Sequence, residues 1–257
     1  MLLLSTDTLK GYGLHRIFKF VKEAWYDWLD LVLTKQDFDN WDIDYVKKLV
    51  QEFKVPVLSI TAPQRFMNEK KVDLIIKLAT SLWVQNITFF PPHARDSITW
   101  YTKYLSRVKR DTHLAISVKN VEPKFLFFIF PEYKDATLFQ IKKITWDTAF
   151  DLAAIDNSSS LDILKAQKIL WSSVKNIYFS DKHWPKKWLL PGWAGGWTSY
   201  LPLESLLMKL RATGYGAFIT LKVTPKEIGV WTEEKVLQNL EYFKSYYKKH
   251  FLDFKWK

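Results

Sequence analysis

Eight short apolar segments recur along this chain, and each is followed by a stretch whose apolar residues fall at helical spacing. Leu2–Ser5, Leu29–Leu33, Val55–Ile60, Asn86–Phe90, His113–Val118, Thr148–Asp151, Val174–Phe179 and Ala217–Val223 read as strands. They read as apolar on both faces, as in a parallel sheet covered on both sides. Leu14–Ala24, Asp42–Phe53, Asn68–Leu82, Ser97–Val108, a shorter helix within Pro131–Ile144, Leu161–Leu170, Pro202–Ala212 and Thr232–His250 read as the intervening helices. In the second of these, Ile43, Val46, Leu49, Val50 and Phe53 share one face, and Asp42 and Asp44 suit the positive end of the helix dipole. Asn68 is placed to cap the third. Eight such units in 257 residues, with no linker or low-complexity break, predict an α/β fold: one (β/α)8 TIM barrel domain over residues 1–257. An open doubly wound sheet is the weaker reading, because no glycine-rich phosphate loop follows the first strand.

In such a barrel the site forms where the strands end at their C-terminal side. The residues there are Ser5, Thr6 and Asp7; Thr34 and Lys35; Thr61; His93 and Arg95; Lys119, Asn120 and Glu122; Asp151 and Asp156; Asp181 and His183; Lys222 and Lys226. The polar run Ser180-Asp181-Lys182-His183 closes the seventh strand and opens a long basic loop rich in Gly and Trp. That loop is expected to form one wall of the site.

Charge points toward anions. The chain carries a net +11, with lysines spread along it and dense near the C-terminus. Such lysines either cover solvated helix faces or attract phosphorylated sugars, nucleic acid or anionic membrane. The absence of Cys excludes disulfides and thiolate metal sites and suits a reducing cytoplasm. Apolar runs such as Phe125–Phe130 are too short to span a bilayer, and Met1–Leu4 lacks the basic leader and length of a signal peptide. A cytoplasmic protein with no membrane partner is the expectation.

Several stretches resemble the xylose isomerase-like barrels, which include sugar phosphate isomerases and epimerases and the endonuclease IV group. Glu23–Leu31 (EAWYDWLDL) is similar to the family's approach to its second strand, and Lys119–Pro123 (KNVEP) to a fifth-strand E-N motif. Tyr178–Asp181 (YFSD) is similar to a seventh-strand H-x-S-D motif, and Leu203–Lys222 to the closing helix, G-Y-x-G turn and strand ending in L-E. The likeness runs over nearly the whole chain. It implies a divalent metal (Mn, Mg, Co or Zn) held by Glu, Asp, His and Glu at the ends of strands five to eight. The metal polarises a substrate oxygen while the two Glu residues exchange protons with the sugar carbon.

The resemblance departs from the family at the chemistry. The two Glu positions are Lys119 and Lys222, the His position is Tyr178, and Asp151 alone matches as a metal ligand. Ammonium groups repel a divalent cation and cannot ligate it while protonated. Lys119, Lys222 and His183 are the catalytic candidates, and His93, Arg95, Asp181, Lys182 and Lys226 the substrate-binding ones. Alternatively, Lys119 and Lys222 fill space left by a lost metal and pair with Asp151 or Glu122. A lysine of lowered pKa also allows Schiff-base chemistry. The reading that follows is a sugar phosphate isomerase- or epimerase-like protein of carbohydrate metabolism whose catalysis is degenerate. The alternatives are a non-catalytic barrel binding a sugar phosphate or other anion, and an endonuclease IV-like repair enzyme. The last needs a multi-zinc cluster that the five His do not supply, so nucleic acid is not the expected partner.

Tryptophan is the compositional anomaly: 13 Trp stand beside 8 Gly, about 3% Gly where about 7% is usual. Trp25, Trp28, Trp83, Trp171, Trp184, Trp193, Trp197 and Trp231 fall where turns are expected, several where the resembling family has Gly. Three explanations stand: a sugar-stacking or interaction surface, deliberate engineering, or UGA codons translated as Trp that the source organism reads as Gly.

Overall fold

The computed structural model describes residues 1–122, 124–126, 129–136, 138–145, 147–155, 163–183, 186–192 and 201–253. Eight parallel strands close into a barrel. They are β1 (Leu2–Ser5), β2 (Trp28–Val32), β3 (Val57–Thr61), β4 (Asn86–Phe89), β5 (Ala115–Lys119), β6 (Asp147–Asp151), β7 (Val174–Phe179) and β8 (Phe218–Leu221). Each pairs with its sequence neighbours, and β1 closes the ring by pairing with both β2 and β8. The helices outside include α1 (Leu14–Glu23), α2 (Ile43–Phe53), α3 (Glu69–Ser81), α4 (Leu105–Asp111), α5 (Leu138–Thr145), α6 (Ile163–Leu170), α7 (Leu203–Ala212) and α8 (Glu233–Tyr247). The fold is an α/β (β/α)8 barrel.

The helix starts follow their capping chemistry. Asp42 accepts from the Asp44 and Tyr45 amides at 3.0 Å, and Asn68 accepts from the Lys71 amide at 3.0 Å. Strand limits shift where the backbone forbids pairing. The third strand begins at Val57 because Pro56 has no amide to donate. The fifth begins at Ala115 and ends on Lys119 rather than running from His113 to Val118. Phe130–Pro131 belongs to a small hairpin with Phe125–Leu126, and the shorter helix expected within Pro131–Ile144 runs over Leu138–Thr145. A second hairpin, Asp181–His183 with Lys186–Leu189, stands where the sequence reads as loop.

The strands are not apolar on both faces. Side chains alternate along a strand, and here one face is aliphatic and the other polar. Leu4, Leu31, Ile60, Ile87, Val118, Phe150, Ile177 and Ile219 pack outward in the main core with the helices. The inward face carries Ser5, Asp30, Ser59, Thr61, Asn86, Thr88, Ser117, Lys119, Asp151, Asn176, Tyr178 and Thr220, all buried. Many bond to one another: Asn86 donates to Ser59 at 3.2 Å and to Thr88 at 3.1 Å, and Thr220 donates to Asn176 at 2.7 Å, while the Asn176 Nδ2 has no partner among the described residues. The barrel interior is therefore a hydrogen-bonded lattice with the site at its upper end.

Three helices end in the same way. After α1, α3 and α7, the amides of Tyr26, Val84 and Tyr215 reach back to Val21, Ala79 and Leu210, each at 2.9 Å. The residue before each is left-handed: Trp25 at φ 56°, Trp83 at φ 57° and Gly214 at φ 72°. Glycine takes this conformation without penalty, whereas a Cβ costs about 1 kcal/mol or more. Of the other turn tryptophans, Trp28 opens β2 and Trp231 lies in a turn without positive φ. Trp171 begins a single 3-10 turn, and Trp184, Trp193 and Trp197 lie outside the described residues. Trp25 and Trp83 are 77% and 87% exposed, so little burial is lost on truncating them. Trp25→Gly and Trp83→Gly are each expected to raise unfolding stability by about 1 kcal/mol, read from urea denaturation midpoints. An unchanged or lowered midpoint contradicts the strain.

Candidate functional site

Three strand ends converge at the mouth of the barrel. Lys119 closes β5, Asp151 closes β6, and Lys222 follows β8. The Lys119 ammonium lies 2.6 Å from the Asp151 carboxylate, and both side chains are buried. Lys222 reaches Asp7 at 3.8 Å. Tyr178, on β7, packs against both lysines: its ring centre is 4.4 Å from the Lys119 nitrogen and 5.6 Å from that of Lys222. Its hydroxyl is 2.6 Å from Thr61, which donates to Asp30 at 3.1 Å, as does Ser5. The inner residues of β1, β2, β3 and β7 are thus tied across the barrel.

Asp151 also accepts from the Trp188 indole at 3.2 Å and from the Ala153 amide at 3.1 Å. Trp188 lies on the unexpected hairpin at φ 54°. That hairpin is fastened to the barrel top, because the Trp188 carbonyl accepts from the Thr224 amide and Lys187 pairs with Glu122. A strained residue whose side chain holds a buried carboxylate is the kind of local cost that collects at functional sites.

Electrostatics divides the two lysines. Burial lowers the Lys119 pKa most; Asp151 opposes this and Lys222 adds to it, and the result is about 8. Burial also acts against the charge on Lys222, but Asp151 and then Asp7 outweigh it and raise its pKa. Lys222 keeps its proton more readily because it is shared between two carboxylates. Burial pushes the Asp151 carboxyl up, yet Lys119 and Lys222 more than offset this and hold it below the ordinary carboxylate value. Burial raises Asp30 despite the hydroxyls that donate to it, and keeps Tyr178 a neutral phenol.

Lys119, Asp151 and Lys222 line a cleft of about 610 Å³, whereas Asp30 and Tyr178 are not among its lining residues. Its basic lining residues are Lys10, Lys35, Arg65, Lys119, Lys124, Lys187 and Lys222, against the acidic Asp7, Glu122 and Asp151. The volume suits a metabolite-sized ligand and the charge an anionic one.

The structure brings Lys119, Lys222 and Asp151 together, and places the other candidates outside the described lining of this cleft. His93 is buried behind it, edge-on to Tyr133 and 3.9 Å from Glu132. Arg95 is exposed, with its amide on the His93 ring. Asp181 is buried and accepts from the Lys182 amide at 2.8 Å, while the Lys182 ammonium donates to the Ile155 carbonyl. His183 ends the first strand of the hairpin, opposite Lys186. Lys226 is exposed on a short helix, Pro225–Ile228. Asp181, Lys182 and His183 belong to the hairpin that the chain forms past β7, and none of the three is among the lining residues. Asp156 lies outside the described residues. Asp30 and Trp188 join the site unannounced. An acid in the middle of the apolar strand WLDLV was the available signal for Asp30; nothing in the sequence marks Trp188.

The donor set does not fit the divalent metal that the resemblance implies. Among the described residues no group of three or more His, Asp, Glu or Cys is placed to hold one, and Asp151 is engaged by an ammonium at 2.6 Å. A lysine nitrogen occupies the carboxylate's free oxygen where a metal ion would bind.

No protein-family model matches the chain. Uncharacterized proteins of Mycobacterium tuberculosis and Mycobacterium leprae are 24% identical to it over 130 residues, 47% of this chain and 46% of theirs. The match thus spans about half the length of these curated relatives. Among solved structures, IolI, determined with a bound zinc atom, superposes with a TM-score of 0.72 at 13% identity, covering 97% of this chain and 99% of its own. A xylose isomerase domain-containing protein of Salmonella typhimurium gives 0.67 at 12% identity, covering 96% of each chain. A xylose isomerase-like TIM barrel protein of Mycobacterium smegmatis, solved with magnesium, gives 0.58 at 13% identity over 92% of this chain and 91% of its own. The chain has the xylose isomerase-like TIM barrel fold.

Asp151→Asn removes the carboxylate that two buried ammonium groups share. It is expected to destabilise the fold by about 3 kcal/mol, and adding Lys119→Met should restore part of that loss in urea denaturation. A neutral Asp151→Asn contradicts the pairing. The Lys119 pKa is about 8 in the folded chain against an ordinary 10.5, so the unfolded chain binds the extra proton between these values. The stability of wild type relative to Lys119→Met should therefore rise with pH across that window; a flat difference contradicts the lowered pKa.

Proposed function

We propose that this chain binds a small anionic carbohydrate, of the sugar phosphate class, at the barrel mouth without a divalent metal ion. It is a sugar isomerase- or epimerase-like barrel in which the metal-dependent proton exchange of that class has no residues to carry it. The observation behind this reading is the convergence of Lys119 and Lys222 on Asp151. Two ammonium groups occupy the positions from which the resembling family extends carboxylates, with Asp151 left between them.

The surrounding charge supports the same reading. A phosphate entering the cleft meets more ammonium groups than carboxylates. Lys222, held protonated by Asp151 and Asp7, is a fixed donor for it. Thr61, which lines the cleft, is held in place by its hydrogen bonds to Asp30 and the Tyr178 hydroxyl and offers a fixed polar contact for a sugar hydroxyl. Metal-dependent isomerisation, suggested by neighbours solved with zinc and magnesium, is the reading that this donor set disfavours.

Calorimetric titration with fructose 6-phosphate in EDTA tests the proposal. Binding should persist in the chelator and weaken at least about tenfold in Lys222→Met, which is about 1.4 kcal/mol. Binding that appears only after Mn or Zn is added overturns it.

A further inference from the structure

We propose that Lys119 captures the carbonyl carbon of an aldose or ketose phosphate as an imine, with Lys222 and Asp151 moving the protons. This rests on the sugar phosphate reading and adds to it a covalent step and a substrate requirement, a free carbonyl. The amine lies at the bottom of the cleft, among its lining residues. Aromatic rings hold it on two sides, Tyr178 at 4.4 Å and Phe90 at 5.2 Å. Water is largely excluded, since the Lys119 side chain is 3% exposed. Burial and the neighbouring Lys222 bring its pKa to about 8, so roughly a tenth of the amine is neutral near pH 7. A neutral amine still donates an N–H, so the contact with Asp151 survives loss of the proton. Desolvation beside a second cation is a general route to a nucleophilic lysine.

The step balances with the groups present. The Lys119 nitrogen pair attacks the carbonyl carbon and forms the N–C bond, while the C=O π pair moves to oxygen and takes a proton from the Lys222 ammonium. The attacking nitrogen, now cationic, gives one proton to Asp151, leaving a neutral carbinolamine. Asp151 returns that proton to the hydroxyl, the C–O bond breaks, water leaves, and the C=N bond forms as an iminium paired with the Asp151 carboxylate. Lys222 regains its proton from solvent.

Incubation with dihydroxyacetone phosphate and sodium cyanoborohydride, followed by peptide mass mapping, tests the assignment. The expected result is a reduced adduct concentrated on the peptide holding Lys119, lost in Lys119→Arg. Adducts scattered over surface lysines with none at Lys119 overturn it, and mapping the wild-type chain gives this answer even if the variant fails to fold. Glycerol 3-phosphate, which has no carbonyl, separates this claim from the one beneath it. If both phosphates bind by calorimetry but no Lys119 adduct forms, the imine fails and the sugar phosphate reading stands. If neither binds, both fail.

A different observation carries a second inference. We infer that the source organism places glycine at positions 25 and 83, reading as Gly the codons here rendered Trp. The caps at Trp25, Trp83 and Gly214 share one hydrogen-bond pattern and one left-handed φ, and only Gly214 carries the residue that the pattern favours. Lys54 is also left-handed after α2, so a side chain is tolerated there. What separates Trp25 and Trp83 is that they combine the helix-end pattern of Gly214 with rings that stand 77% and 87% exposed; Phe66 is also left-handed and exposed but does not follow that pattern. Trp188 shares the strain, but its indole holds Asp151. Peptide sequencing by mass spectrometry of protein isolated from the source organism should give Gly at both positions; Trp at both overturns the inference.

Discussion

The ion pair between Lys119 and Asp151 governs the upper end of this barrel. A carboxylate buried between two strand ends needs a cation, because an uncompensated charge away from water costs several kcal/mol. In a metal-dependent barrel a metal ion fills that role. Here Lys119 fills it at 2.6 Å, Lys222 adds its field, and the Trp188 indole donates to the same carboxylate. With an ammonium in this place, the chemistry proposed for the site is anion recognition and amine nucleophilicity rather than metal-polarised proton exchange.

The rest of the inner face follows from the same constraint. Charged groups at the barrel top need a polar foundation, and the inward positions provide one in hydroxyl, amide and carboxyl side chains rather than the aliphatic layers common in such barrels. The aliphatic side chains lie on the opposite face of each strand, where they build the core with the helices. Stability and site chemistry are thus divided between alternate residues of the same strands.

Much of the fold was legible because strand and helix periods differ so plainly. Leu2–Ser5 and Val174–Phe179 read from the sequence with the bounds they have in the structure. The hairpin after β7 was not legible: Asp181–His183 and Lys186–Leu189 are short, charged and without apolar alternation. Its absence from the sequence reading explains why His183, Asp181 and Lys182 were assigned to the site and Trp188 was not. Lys119, Asp151 and Lys222 were legible through their strand-end positions. Asp30 was hidden because an acid inside an apolar strand gains its meaning only from Ser5 and Thr61 on neighbouring strands.

The central claim is that ammonium groups occupy the place of a metal ion. Equilibrium dialysis of the purified chain against Mn, Co and Zn, followed by elemental analysis, tests it most directly. The account predicts less than stoichiometric metal, unchanged by Asp151→Asn. One tightly held equivalent per chain, lost in Asp151→Asn, would contradict it.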